Sequence, residues 1–189
     1  MFILNLGLKM IMKKTIIAGA IAIISTSAHA ENKNLTQFGD MAQFGIPITA
    51  GIIALWKDDT EGLYQLTEGA IYTSLATHTL KWTINADRPD NTDNNSFPSG
   101  HTSSSAQGAA FLQFRYGWKY GLPAYAASAI VGYSRIKAQK HYWRDVVAGA
   151  ALATGIQYTI TKMGYSVTNV LFTPYANNNE IGLYANMKF

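Results

Sequence analysis

Ser134-Arg135-Ile136-Lys137-Ala138-Gln139-Lys140-His141-Tyr142-Trp143-Arg144-Asp145 joins the end of one apolar helical pattern to the start of another. Before it, Leu122 to Gln139 reads as a helix with Tyr125, Ala129, Val131 and Gly132 in its middle. After it, His141 or Trp143 opens a last long helix, Val146 to about Met163, rich in alanine and glycine. His141 and Asp145 are four residues apart, so at a helix start they share a face. A carboxylate placed there can fix the tautomer of an imidazole and leave its other nitrogen free.

Two upstream pieces belong with this junction. Pro98-Ser99-Gly100-His101 precedes a small, apolar stretch, Thr102 to about Tyr116, which Gly117 ends. Amides at a helix start point free N–H groups toward an anion, Gly100 lets the backbone approach without a Cβ, and Ser99 adds a hydroxyl donor. An ordinary turn with Thr102 as cap is the plainer alternative. The company of Lys81 and Arg135 favours the anion-binding reading. Lys81 lies near the end of a helix from Leu63 to about Asn85, which Asp59 or Thr60 can cap. Arg88 follows in a polar loop, Asp87 to Pro98, expected to sit over the same place.

Three cations therefore come from separate segments: Lys81, Arg88 and Arg135. The arginines carry a planar fork that can grip two oxygens at once. Phosphoryl transfer depends on holding the group and stabilising charge on its equatorial oxygens, and cations are the direct means. A pair of histidines could instead ligate a metal, but lysine and arginine nearby would repel one, so neither metal nor cofactor is expected. His78, one helical turn before Lys81, reads as a structural or surface histidine.

The whole set resembles the three-part signature of the type 2 phosphatidic acid phosphatase and vanadium haloperoxidase superfamily. Its elements are lysine, six residues, Arg-Pro; then Pro-Ser-Gly-His; then Ser-Arg, five residues, His, three residues, Asp. Every fixed position is present between Lys81 and Asp145. The resemblance implies a helical bundle in which His141 attacks phosphorus to form a phosphohistidine and Asp145 orients it. His101 protonates the leaving oxygen and then activates water. It also implies that Lys81, Arg88, Ser99, Gly100 and Arg135 bind the phosphate. The same cradle can hold vanadate, so the motif alone leaves oxidation chemistry open. The short chain, without the large extra helical regions of haloperoxidases, favours hydrolysis. A catalytically silent envelope protein would be expected to show a degraded signature, and this one is intact.

The rest of the pattern agrees with an all-α bundle. Asn34 to Trp56 reads as a first helix with Pro47 as a kink. From Ile181 the alternation of Ile181, Leu183, Ala185, Met187 and Phe189 with polar or small residues has strand periodicity. Val167 to Phe172 is its expected partner across Thr173 to Glu180, giving a short C-terminal β-hairpin.

Residues 1–30 read as an export signal: Lys13 and Lys14, an apolar core from Thr15 to Ile24, and Ala28-His29-Ala30 as cleavage site. Met12 is an alternative start, since Met12-Lys13-Lys14 alone begins a complete signal. Cleavage would leave a phosphatase domain, 31–189, in the periplasm. Removing Lys9, Lys13 and Lys14 from the fifteen bases leaves twelve against eleven acids, so the chain's basicity is largely that of the signal. The remainder has no lysine-arginine cluster to track a nucleic acid backbone. The absence of cysteine removes disulfides and thiolate metal sites.

The longest uninterrupted apolar stretches, such as Gly45 to Trp56, fall short of a spanning helix. Yet Trp82, Trp118, Trp143, Tyr116, Tyr120 and Tyr142 flank the expected helix ends, where amphipathic rings favour an interface. A protein associated with a membrane surface, acting on a lipid-linked phosphomonoester, is the resulting expectation. A broad-specificity soluble acid phosphatase is the alternative.

Overall fold

The computed structural model describes residues 32–176 and 181–187. The expected export signal and the alternative start at Met12 lie outside these residues. Five helices follow one another among the described residues: α1 (Asn32–Trp56), α2 (Thr60–Ile84), α3 (Gly100–Tyr116), α4 (Trp118–Lys137) and α5 (Trp143–Thr161). The fold is all-α, as the sequence pattern implies. A 3-10 turn, Val167–Asn169, leads to β1 (Val170–Ala176), which pairs antiparallel with β2 (Ile181–Met187). The pairing runs from Val170 opposite Met187 to Ala176 opposite Ile181. The first strand thus starts later than Val167, because Val167 donates its amide to the Glu68 carboxylate at 2.9 Å and is held in the turn.

Local chemistry explains the helix boundaries. Asp59 caps α2 by accepting from the Gly62 amide at 2.9 Å, and Arg115 and Tyr116 at the end of α3 bind the same carboxylate. Gly117, at φ 87°, closes α3 and opens α4 without an intervening loop, so α4 begins at Trp118 rather than Leu122. α5 begins at Trp143 because the Asp145 carboxylate reaches back to the Tyr142 amide at 2.8 Å.

α3 is the central helix and packs against α1, α2, α4 and α5. Its buried positions are small or polar: Ser103, Ser105, Ala106, Gln107, Ala109 and Ala110, with Phe111 and Leu112 toward its end. The apolar core is correspondingly modest. Ala50, Ala54, Leu66, Phe111 and Leu112 form one cluster, and Ile46, Ala109 and Val131 another. Between helices runs a buried amide ladder. Gln107 donates to Gln157 at 2.7 Å and to the Leu66 carbonyl at 3.0 Å, while Gln157 donates to the Gln65 carbonyl and to Thr161. Most buried polar groups are bonded in this way.

The outside is unusually apolar. Met41, Phe44, Ile48, Ile52 and Leu55 of α1 are exposed, as are Ile71, Leu75 and Trp82 of α2 and Trp118 and Leu122 of α4. Lys33–Trp56 is long and apolar enough to cross a membrane, with a mean hydropathy of 1.3 over its best window. This corrects the expectation drawn from uninterrupted runs. Isolated polar residues do not break a helix in apolar surroundings when their groups bond locally, as Thr49 does by donating to the Gly45 carbonyl at 2.7 Å. The aromatic residues divide. Trp82, Trp118, Tyr142 and Trp143 are exposed, whereas Tyr116 and Tyr120 pack against the core.

Candidate active site

Four helix ends meet at one end of the bundle: the C-termini of α2 and α4 and the N-termini of α3 and α5. Close packing of small residues brings them together. A Cβ on Gly149 of α5 would lie 2.7 Å from the Ser99 carbonyl oxygen, so only glycine lets α5 pass the start of α3 this closely. The Ser99 amide in turn donates to the Asp145 carbonyl at 2.9 Å.

His141 lies in the α4–α5 connection and is only 4% exposed. Its Nδ1 is 3.7 Å from Asp145 Oδ2, slightly longer than a hydrogen bond, and forms none. Asp145 is fully buried. Its Oδ2 accepts from Ser96 Oγ at 2.5 Å and from the Tyr142 amide, so the carboxylate is fixed before it meets the histidine. Burial pushes the His141 pKa down to about 4, with Lys81 and Arg88 adding to the effect and Asp145 opposing it. The imidazole is therefore neutral around pH 7.

Lys81 projects from the last turn of α2 and donates to the Asn95 carbonyl at 2.6 Å. Burial lowers its pKa to about 8, helped by Arg88 and opposed by Asp145 and Asp93. The loop that follows α2 is tied down throughout. Arg88 Nε donates to Asp93 at 2.6 Å, Lys140 to Asp90 at 2.6 Å, and Ser96 to Asp145. Loop and α5 are thus fastened to each other through the residues that flank His141.

Ser99 is itself the N-cap of α3, and its Oγ accepts from Thr102 Oγ1 at 3.0 Å. These capping contacts use lone pairs of Oγ and not its proton, the donor that sequence reasoning offers to an anion. Gly100 sits beside Lys81, and a Cβ added to it would reach only ordinary contact with Lys81 Cε at 3.9 Å. No protein neighbour demands glycine there. The space a side chain would fill is the space over the helix start.

His101 and Arg135 make a second group, facing α1. Arg135 is 4% exposed, and its Nε donates to Ser134 Oγ at 2.9 Å, Nη1 to Asp40 at 2.6 Å and Nη2 to the Thr36 carbonyl at 2.6 Å. His101 Nε2 is 3.0 Å from the same Asp40 oxygen. Burial and Arg135 lower the His101 pKa, Asp40 raises it, and Arg88 lowers it further. The sequence reading missed Asp40, which lies far from the signature in the chain and meets it only through the packing of α1. His78 stays outside the site, exposed, with its Nδ1 near the Ser74 carbonyl and its ring edge-on to Trp82.

Against the known families, the profile of the PAP2 superfamily matches residues 62–168. The chain belongs to this superfamily. The matched PAP2 segment takes in every signature position from Lys81 to Asp145 and leaves α1 outside. A lipid A 4'-phosphatase of Helicobacter pylori is 31% identical over 138 residues, covering 67% of this chain and 69% of that protein. A lipid A 1-phosphatase of Porphyromonas gingivalis is 34% identical over 95 residues, 49% of this chain but 20% of that longer protein.

Two solved structures share the fold. LpxE of Aquifex aeolicus superposes with a TM-score of 0.61 at 19% identity, over 79% of this chain and 94% of its own. The transmembrane PAP2-type phosphatidylglycerolphosphate phosphatase of Bacillus subtilis gives 0.57 at 21%, over 81% and 85%.

Proposed function

We propose that this PAP2 protein is a phosphatase that removes a phosphomonoester from a lipid, through a phosphohistidine on His141 and without a metal. The observation that carries the proposal is His141 itself, a buried and neutral imidazole with a fixed carboxylate behind it and the charges of Lys81 and Arg88 acting on it. An imidazole nitrogen attacks phosphorus while the bond to the leaving oxygen breaks, and His101 gives that oxygen its proton. Water then loses a proton to His101 and displaces phosphate from His141, which restores both histidines. Lys81, Arg88, Arg135 and the amides at the start of α3 hold the equatorial oxygens, with Gly100 leaving room.

The lipid part of the proposal draws on surroundings and on relatives. Exposed Trp82 is next to Lys81, and exposed Tyr142 and Trp143 follow His141, so amphipathic rings border the site. A cleft lined by Ile84, Ala86, Phe97 and Arg144 opens beside it, apolar with one cation. Both curated relatives are named as lipid A phosphatases. Together with the apolar outer faces of α1 and α2, this supports a membrane-associated enzyme. The export signal assigned to residues 1–30 would place domain 31–189 in the periplasm, which amino-terminal sequencing of the protein recovered from cells can check.

The test is turnover of the purified full chain in detergent on a phosphorylated lipid and on p-nitrophenyl phosphate, each with and without EDTA. A higher kcat/KM for the lipid, unchanged by chelation, is expected. A preference for the small ester would remove the lipid assignment. Loss of activity with EDTA, restored by magnesium, would remove the mechanism.

The pH dependence follows from the two histidines. His141 must be unprotonated to attack, so kcat/KM should rise with pH through about 4. His101 must be protonated to serve the leaving group, and its pKa is held below 6.5, so kcat/KM should fall again on the alkaline side of that lowered value. Loss of the Lys81 charge near pH 8 deepens the fall. A maximum in mildly acidic buffer is expected, and a profile still rising at pH 8 would contradict the two roles.

A further inference from the structure

We propose that Asp40, on α1 and outside the matched PAP2 segment, is a positioning residue that sets the proton inventory of His101 and the orientation of Arg135. The inference rests on the assignment of His101 as proton donor and goes beyond it, by making the first helix part of the working site. One oxygen, Asp40 Oδ1, lies 2.6 Å from Arg135 Nη1 and 3.0 Å from His101 Nε2. With Nε2 donating its proton to the carboxylate, Nδ1 is the nitrogen that exchanges a proton with the leaving oxygen and with water. Asp40 therefore selects the working atom of the imidazole, and by the same oxygen fixes one arm of the guanidinium.

The geometry is built rather than incidental. Gly39 precedes Asp40, and a Cβ there would fall 2.1 Å from Ser134 Oγ and 2.6 Å from Arg135 Nη2, so the α1 backbone is in direct apposition to the Ser134-Arg135 pair. The Thr36 carbonyl, one turn earlier, takes the other terminal nitrogen of Arg135. The charged groups that face His101 are Arg135 from α4, Arg88 from the α2–α3 loop and Asp40 from α1. Two of these drive its proton off, and Asp40 is the carboxylate that retains it.

The experiment compares Asp40→Asn and Asp40→Glu with His101→Ala, the double variant Asp40→Asn/His101→Ala and His141→Ala. Each is assayed as the full chain in detergent, with kcat and kcat/KM followed across pH and folding checked by thermal melting. Asp40→Asn is expected to lower kcat by about 10- to 100-fold. It should also move the alkaline limb of kcat/KM to lower pH by about one unit or more. Asp40→Glu keeps the charge and should recover part of the limb position. In the His101→Ala background, Asp40→Asn should lower kcat by less, since only the part that acts through Arg135 remains.

An Asp40→Asn enzyme with an unmoved limb, whether active or weakened, overturns the proposal while His141→Ala remains dead. Equal losses with and without His101 overturn it as well. If Asp40→Asn does not fold, the limb of Asp40→Glu decides, and failure of both to fold shows a purely structural residue. Retained activity in His141→Ala would bring down the underlying mechanism and this inference with it.

Discussion

Replacing His141 with alanine is expected to lower turnover by at least about 10⁴-fold and to eliminate the phosphoenzyme trapped by alkaline quench during turnover. The expectation follows from the position of the group. His141 is buried, neutral near pH 7 and backed by a carboxylate that Ser96 and the Tyr142 amide already hold in place. Asp145→Asn should weaken trapping and turnover to a smaller extent. It leaves a group that can still occupy the α5 cap, but removes the charge that favours a cationic phosphoimidazole. Trapping that survives in His141→Ala would assign the nucleophile elsewhere.

Arg135→Ala is expected to lose two things at once. As a cation of the phosphate cradle its removal should reduce kcat/KM by about 10²- to 10³-fold. As a buried bridge between α4 and α1 it should also cost about 2 kcal/mol, because three hydrogen bonds from one guanidinium disappear. For a chain of this size that is roughly a 6 °C fall in melting temperature. Sequence reasoning assigns Arg135 to the phosphate, whereas its burial and its bonds to Asp40 and Thr36 also give it a part in the fold. Arg135→Lys separates the two. Lysine keeps the charge but cannot reach three acceptors, so melting should fall while more activity survives. Full activity in Arg135→Ala would remove it from the cradle.

What could be read in advance was whatever local chemistry dictates. The signature positions from Lys81 to Asp145 were legible because helix ends, a glycine start and fixed spacings leave a record in the chain. The five helices were legible from period and punctuation, with Gly117 and Asp59 marking boundaries that the structure keeps. Asp40 was not, because nothing within ten residues of it hints at Arg135 or His101; only the packing of α1 on α4 brings them together. The amide ladder was hidden for the same reason, its glutamines standing on three separate helices. The membrane-length character of α1 was obscured by counting unbroken apolar runs, which stops at Gln43 although its side chain bonds to its own helix at the Asp40 carbonyl.

The glutamine ladder has a bearing on what the bundle is when stripped of its surroundings. With alanine, serine and glutamine facing inward and isoleucine, leucine and tryptophan facing outward, the polarity of an ordinary water-soluble bundle is partly inverted. In an amphiphile the outer side chains are already solvated, and what selects one arrangement of helices over another is close packing of small residues plus a few amide bonds. Removing the amphiphile would then leave each helix intact while loosening the registry between them. The protein would keep its helical spectrum and lose the meeting of four helix ends, so delipidation would silence it well before it unfolded.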